Sequence, residues 1–151
     1  MKKRKEIYQD VHQIFNSRQI AEVCLSYKTK VHYSERVKIV CSRNAYELFL
    51  ASWDLNQIDY REVFKVMLLD RGNKVLGIVP ISEGSISGTV CDPKMIMQAA
   101  LLSNASGIIL CHNHPSSELN PSSADKEITN KIKRCCVFHD IALLDHLIIT
   151  S

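Results

Sequence analysis

The segment Cys111-His112-Asn113-His114-Pro115, followed by Pro121-Ser122-Ser123-Ala124-Asp125, constrains this chain more than any other. It follows directly on Ile108-Ile109-Leu110-Cys111, a short apolar run of the kind that forms a buried strand. On extended backbone, residues two apart point to the same side, so His112 and His114 present both imidazoles to one point. Pro115 cannot donate to a strand ladder and turns the chain away. Ser122 is a candidate N-cap, which puts Asp125 in the first turn of a helix with its carboxylate facing back across the loop. A strand must therefore end, and a helix begin, around three side chains that all bind metals.

Two histidines and one carboxylate make a three-ligand set and leave a fourth tetrahedral position for water, as catalytic zinc sites do. Zinc held in this way lowers the pKa of its water to about 7. Such a site needs a proton carrier, and Glu62 is the candidate. It lies in phase with Phe64, Val66 and Leu68, and a carboxylate on the core-facing side of a strand is costly without a task or partner. Each residue also has a plainer reading. Ser122 to Asp125 matches a capping box, a His-x-His at a strand end also suits a surface, and Glu62 could be the polar first residue of an amphipathic strand.

Other chemistries fit less well. An HNH nuclease spreads its three residues over a longer ββα unit. A zinc deaminase needs His-x-Glu and a later Pro-Cys-x-x-Cys, which this sequence lacks. Two His and one carboxylate also suit Fe(II) oxygenases, but their usual order is His-x-Asp and then His. His146, beside Asp145, reads either as a support for the site or as a satisfied core histidine. His12, His32 and His139 read as structural or surface residues.

A chain of 151 residues, 46% hydrophobic and 23% charged, has the composition of a globular domain. Its net charge of +3 arises mostly in the tail Lys2-Lys3-Arg4-Lys5 and does not by itself argue for a nucleic-acid partner. No run is long and apolar enough to span a bilayer, and no signal-peptide core follows the tail, so a cytoplasmic protein is expected. The six cysteines include no CxxC pair, which leaves them as reduced, mostly core thiols.

The pattern divides the chain into a basic tail with a short helix over 1–20 and one domain over 21–151. Within the domain, Ala21 to Tyr27 alternates as a strand. Val37 to Cys41 is a short apolar run, and Ser42 caps a helix reaching Trp53. Glu62 to Leu69 and Lys74 to Val79 form a hairpin around Asp70-Arg71-Gly72-Asn73, with Pro80 ending its ladder. A bulged strand is expected within 81–90. Asp92-Pro93 opens a helix to about Ala105, Ser122 opens one to about Cys136, and Ile141 to Thr150 is the last strand. Strands alternate with helices, which predicts an α/β sandwich around a mixed sheet.

The spacing His112-x-His114-Pro115, then Ser122-x-x-Asp125, resembles the JAMM (MPN+) metalloprotease signature. The wording "ILCHNHPSSELNPSSADKEIT", with "REVFKVMLLD" upstream and "LLDHLIIT" at the end, is similar to RadC-type proteins. The resemblance covers roughly residues 20 to 151. It implies a three-layer α/β/α sandwich like that of cytidine deaminases, one Zn2+ held by His112, His114 and Asp125, and Glu62 as the catalytic acid–base. It further implies Ser122 as a donor to the oxyanion, a role that competes with N-capping for one hydroxyl. The implied activity is hydrolysis of an amide bond in a peptide or protein substrate. The alternative is a non-catalytic zinc-containing module in DNA repair or DNA metabolism, although nothing in the residues themselves supports DNA binding. Two departures stand out: Ser117 replaces the glycine usual after Pro-Ser, and the residues ahead of Glu62 are not expected to form the helix-hairpin-helix segment of longer RadC proteins.

Overall fold

The computed structural model describes residues 23–24, 26–29, 31–84 and 91–151. Four strands, β1 (Val63–Leu69), β2 (Val75–Glu83), β3 (Gly107–Asn113) and β4 (Ala142–Ile149), form one sheet in the order β2-β1-β3-β4. β1 is antiparallel to β2 and β3, whereas β3 and β4 are parallel, so the sheet is mixed. Three helices flank it: α1 (Ser42–Ala51), α2 (Pro93–Leu102) and α3 (Ser123–Phe138). A parallel pair needs a crossover, and α3 supplies it between β3 and β4.

Strand alternation sorts the core into two halves. Phe64, Val66 and Leu68 of β1, with Ile108 and Leu110 of β3, pack against Ile96 and Ala100 of α2 and against Ile132 and Cys136 of α3. On the other face, Met67, Leu69, Ile109 and Cys111 meet Ala45 and Phe49 of α1, together with Trp53. Helices thus cover both faces in a three-layer α/β/α sandwich, the α/β arrangement the sequence pattern predicts and the layering the family resemblance implies. β3 is buried along its whole length because it is covered by a helix layer on each side and paired with a strand at each edge.

Several local expectations hold and others are corrected. Asp92 caps α2 by accepting from the Lys94 N–H at 2.9 Å, with Pro93 at the first helical position. Asp70 closes the hairpin turn by accepting from the Gly72 and Lys74 N–H groups at 2.8 and 3.0 Å. Asn73 reverses the chain there at φ 58°, a conformation asparagine tolerates. Pro80 does not end the ladder, since β2 runs on to Glu83. β2 has a neighbour on one side only, and Pro80 pairs with Lys65 beside a register shift, so its missing N–H breaks no bond. Ser42 is the first residue of α1 rather than its cap; its hydroxyl instead donates to Asp145 of β4. Residues 23–24 and 26–27 form no strand, and 38 makes only a bridge to 74. Residues 81–83 belong to β2; 85–90, like the expected tail and helix over 1–20, lie outside the described residues.

All six cysteines are free thiols. Cys111 and Cys136 are buried in the core, where burial pushes their pKa up to about 12 and about 11, while Cys24 and Cys41 are exposed. No helix among the described residues is long and apolar enough to cross a membrane.

Phe49 is fully buried and fastens α1 to the sheet. Phe49→Ala should lower the unfolding free energy by about 3–5 kcal/mol, read from urea denaturation. A loss no larger than that of an exposed alanine substitution would show that α1 contributes little to the core.

Candidate metal centre

The alternation of β3 puts His112 on the same face as Ile108 and Leu110, toward α2 and α3, and Asn113 on the opposite face. His114 lies one residue past the strand, where its N–H still bonds the Ile149 carbonyl of β4 at 3.0 Å. Two residues further along extended chain than His112, it returns to the same side. On α3, Asp125, Thr129, Ile132 and Cys136 recur at helical spacing, and Ile132 and Cys136 are buried against the sheet. The stripe that packs α3 therefore carries Asp125 inward, above the end of β3.

The three side chains converge. His112 Nε2 lies 2.9 Å from His114 Nε2, and Asp125 places Oδ1 at 3.2 Å from the first and Oδ2 at 3.5 Å from the second. One ligand atom from each lies within 4.8 Å of the others, a group that could hold a metal ion. A tetrahedral ion with ligand distances of about 2.0–2.1 Å sets its ligand atoms about 3.3 Å apart, which matches these separations. The chemistry of the donors fits as well. His114 Nδ1 lies 2.6 Å from the Glu118 carbonyl, which only accepts, so Nδ1 carries the proton and Nε2 offers a lone pair. His112 turns its Nδ1 to His146 Nε2 at 2.9 Å, and its Nε2 to the same point as that of His114.

Electrostatics keep His112 and Asp125 in the forms that bind a metal. Burial, helped by the neighbouring His146, pushes the His112 pKa down to about 4. Burial likewise lowers His146 to about 4, so both imidazoles are neutral at physiological pH. For Asp125 burial opposes ionisation, but two hydrogen bonds from Ser122 and the nearby His112 and His114 outweigh it and hold the carboxyl below its ordinary value.

Ser122 does two things with one hydroxyl. It accepts from the Asp125 N–H at 3.2 Å as the N-cap of α3, and it donates to Asp125 Oδ2 at 2.6 Å. The Asp125 carboxylate in turn accepts from the Ser122 N–H at 2.7 Å, completing a capping box. Glu62 stands just before β1, half-buried, and its carbonyl continues the β1–β2 ladder by accepting from the Gly84 N–H at 2.8 Å. Alternation gives it the face of Phe64, whose ring stacks on His112 with centroids 5.7 Å and planes 5° apart. Asn113, fully buried between the two histidines in sequence, binds this same segment from the other face. Its Oδ1 accepts from the Val63 N–H at 2.7 Å, and its Nδ2 donates to the Ile58 and Arg61 carbonyls at 2.6 and 2.9 Å. Those partners bracket Glu62. Beside the ligands opens a cleft of about 470 Å³, walled by Leu119, Pro121, Lys126, Asn130, Leu147 and Ile148.

The family model for the RadC-like JAB domain matches residues 39–151. The chain belongs to the RadC-like JAB-domain family. Its curated relatives include the UPF0758 protein of Flavobacterium johnsoniae, 43% identical over 114 residues, which are 76% of this chain and 48% of that protein. The UPF0758 protein of Clostridium beijerinckii is 35% identical over 130 residues, 86% of this chain and 56% of that protein. That of Pseudomonas fluorescens is 39% identical over 88 residues, 58% of this chain and 39% of that protein. The chain thus spans about half the length of the curated family members it matches.

Sequence reasoning passed over Asn113 and Thr129 and left His146 undecided. A signal was present for two of them. An asparagine and a histidine inside apolar strands must find partners for their polar atoms, and both do.

Asn113→Ala removes one acceptor and two donors from buried backbone partners. It should cost at least about 2 kcal/mol of stability, measured by denaturant unfolding. A near-neutral result would mean that residues 58–63 hold their path without the clamp.

Proposed function

We propose that this chain is a zinc-dependent hydrolase that cleaves an amide bond in a peptide or protein. In this reading His112, His114 and Asp125 hold the ion and Glu62 carries the proton. The observation behind it is the meeting of two imidazole Nε2 atoms and a carboxylate at tetrahedral ligand spacing beside an open cleft. Two imidazole nitrogens with a carboxylate are donors that suit zinc, and three of them leave a position open. Bound there, zinc supplies Lewis acidity and a nucleophile available at neutral pH.

The remaining steps fall to the chain itself. Glu62 accepts a proton from the attacking water and delivers it to the leaving amine nitrogen. Asn113 fixes the backbone on either side of Glu62, and so fixes the base relative to the strand that bears the histidines. The Ser122 hydroxyl gives its one proton to Asp125 Oδ2, so its task is to orient that carboxylate. We therefore do not assign it the oxyanion role that the JAMM resemblance implies. The apolar walls Leu119, Pro121, Leu147 and Ile148, with Lys126 and Asn130, suit the side chains of an extended peptide.

Elemental analysis of the purified protein should find about one zinc per chain, and His114→Ala should lose it. Glu62→Gln should retain the metal while turnover of a peptide substrate falls by roughly 10²–10⁴-fold. Full activity in that variant would sink the mechanism. Metal retained with no hydrolysis by the wild type, together with salt-steep DNA binding, would favour a zinc-containing binding module instead.

A further inference from the structure

We propose that Thr129 and His146 lock the tautomer of His112, keeping its Nε2 unprotonated and aimed at the ion. The inference rests on the metal centre but not on the hydrolase reading. His146 sits in β4 opposite Leu110, on the face that carries His112. Thr129 lies one helical turn after Asp125 on α3. Together they form a chain of hydrogen bonds whose directions all follow once the Thr129 hydroxyl donates to the Asp125 carbonyl.

The Asp125 carbonyl has no hydrogen to give, so the single hydroxyl hydrogen of Thr129 goes to it. Thr129 Oγ1 can then only accept from His146 Nδ1, at 2.6 Å, which places the proton of His146 on Nδ1. His146 Nε2 is left as an acceptor, and the atom it meets at 2.9 Å, His112 Nδ1, must be the donor. The proton of His112 is thus held on the side away from the ligand cluster. The tilted contact of Phe64 with the His146 ring, and its stack on His112, pack both rings in place, and the His112 and His146 planes meet at 56°. The relay begins and ends at metal-ligating residues, since the carbonyl that sets its direction belongs to Asp125. Without an acceptor at position 146, the proton of His112 is free to move to Nε2. There it points at His114 Nε2 and occupies the place of the ion.

Thr129 and His146 are positioning residues, and the test reads affinity and tautomer rather than turnover. Zinc affinity of the full chain is measured by chelator competition for the wild type, His146→Leu, His146→Gln, Thr129→Val and Thr129→Ser. His146→Leu should bind zinc about 10–100-fold more weakly. His146→Gln, which offers an acceptor and a donor on one side chain, should recover much of the loss. Thr129→Val should weaken binding while Thr129→Ser does not. Nitrogen-15 imidazole spectra of metal-free protein should show His112 as the Nδ1–H form in the wild type and as a mixture in Thr129→Val. Should His146→Leu fail to fold, the valine and serine variants at Thr129 carry the comparison. Equal affinity in Thr129→Val and wild type, or an Nε2–H His112 in the metal-free wild type, overturns the lock while leaving the metal centre in place. A wild type that binds no zinc overturns both.

Discussion

Two imidazole nitrogens 2.9 Å apart, facing a carboxylate at 3.2 and 3.5 Å, concentrate electron density in one small volume. Atoms of this kind repel unless a positive charge lies among them, so something rigid must hold them together. Here that is the end of β3, paired on both sides, and the first turn of α3, whose Ile132 and Cys136 are packed into the core. The scaffold carries the repulsion, and a bound cation would turn it into attraction. In the proposed reading ion binding and folding are therefore linked: whatever stabilises the crowded arrangement stabilises the sandwich that imposes it.

The centre is supported from both faces of one sheet. On the α2–α3 face Phe64 lies against His112 and His146, and the hydrogen bonds of His146 and Thr129 reach the ligands from behind. On the α1 face Asn113 uses its whole amide on the segment that contains Glu62. Phe64 and His146 are remote from the candidate ligands in the chain, whereas Thr129 lies one helical turn after Asp125 and Asn113 lies between the two histidines. Burial that keeps His112 neutral leaves it a lone pair for an ion, and burial that keeps His146 neutral leaves it able to accept from its neighbour, so the apolar core and the polar site act in the same direction.

Much of this was legible in the sequence where the signal is local. His112, His114 and Asp125 are close in the chain, and strand and helix periodicity suffice to bring them together. The caps and turns at Asp92, Asp70 and Asn73 are likewise written in neighbouring residues. The failures share a cause. Pro80 is harmless only because β2 is an edge strand beside a register shift, which is a fact of the sheet and not of the segment. Ser42 finds its partner in Asp145, and His146 finds its own in His112 and Thr129, through a topology that periodicity does not specify. Ser117 is a middle case. The resemblance marks it as a glycine position, and the structure gives the reason: its φ is 61°, in the left-handed region, where the chain turns so that the Glu118 carbonyl meets His114.

One strand end carries a candidate ligand, a clamp and a second candidate ligand on alternate faces. Because a strand has a period of two, these roles cannot drift gradually along it. A single residue inserted into or deleted from β3 would turn both histidines toward Phe49 and the asparagine toward the cleft. Every member of the site would then be misplaced by one event. A substitution here changes one side chain and a change in the loop after Pro115 leaves the strand in place, whereas a shift of frame moves all three at once. In the proposed reading, variation in substrate would therefore enter through the cleft walls and not through the three metal-binding side chains.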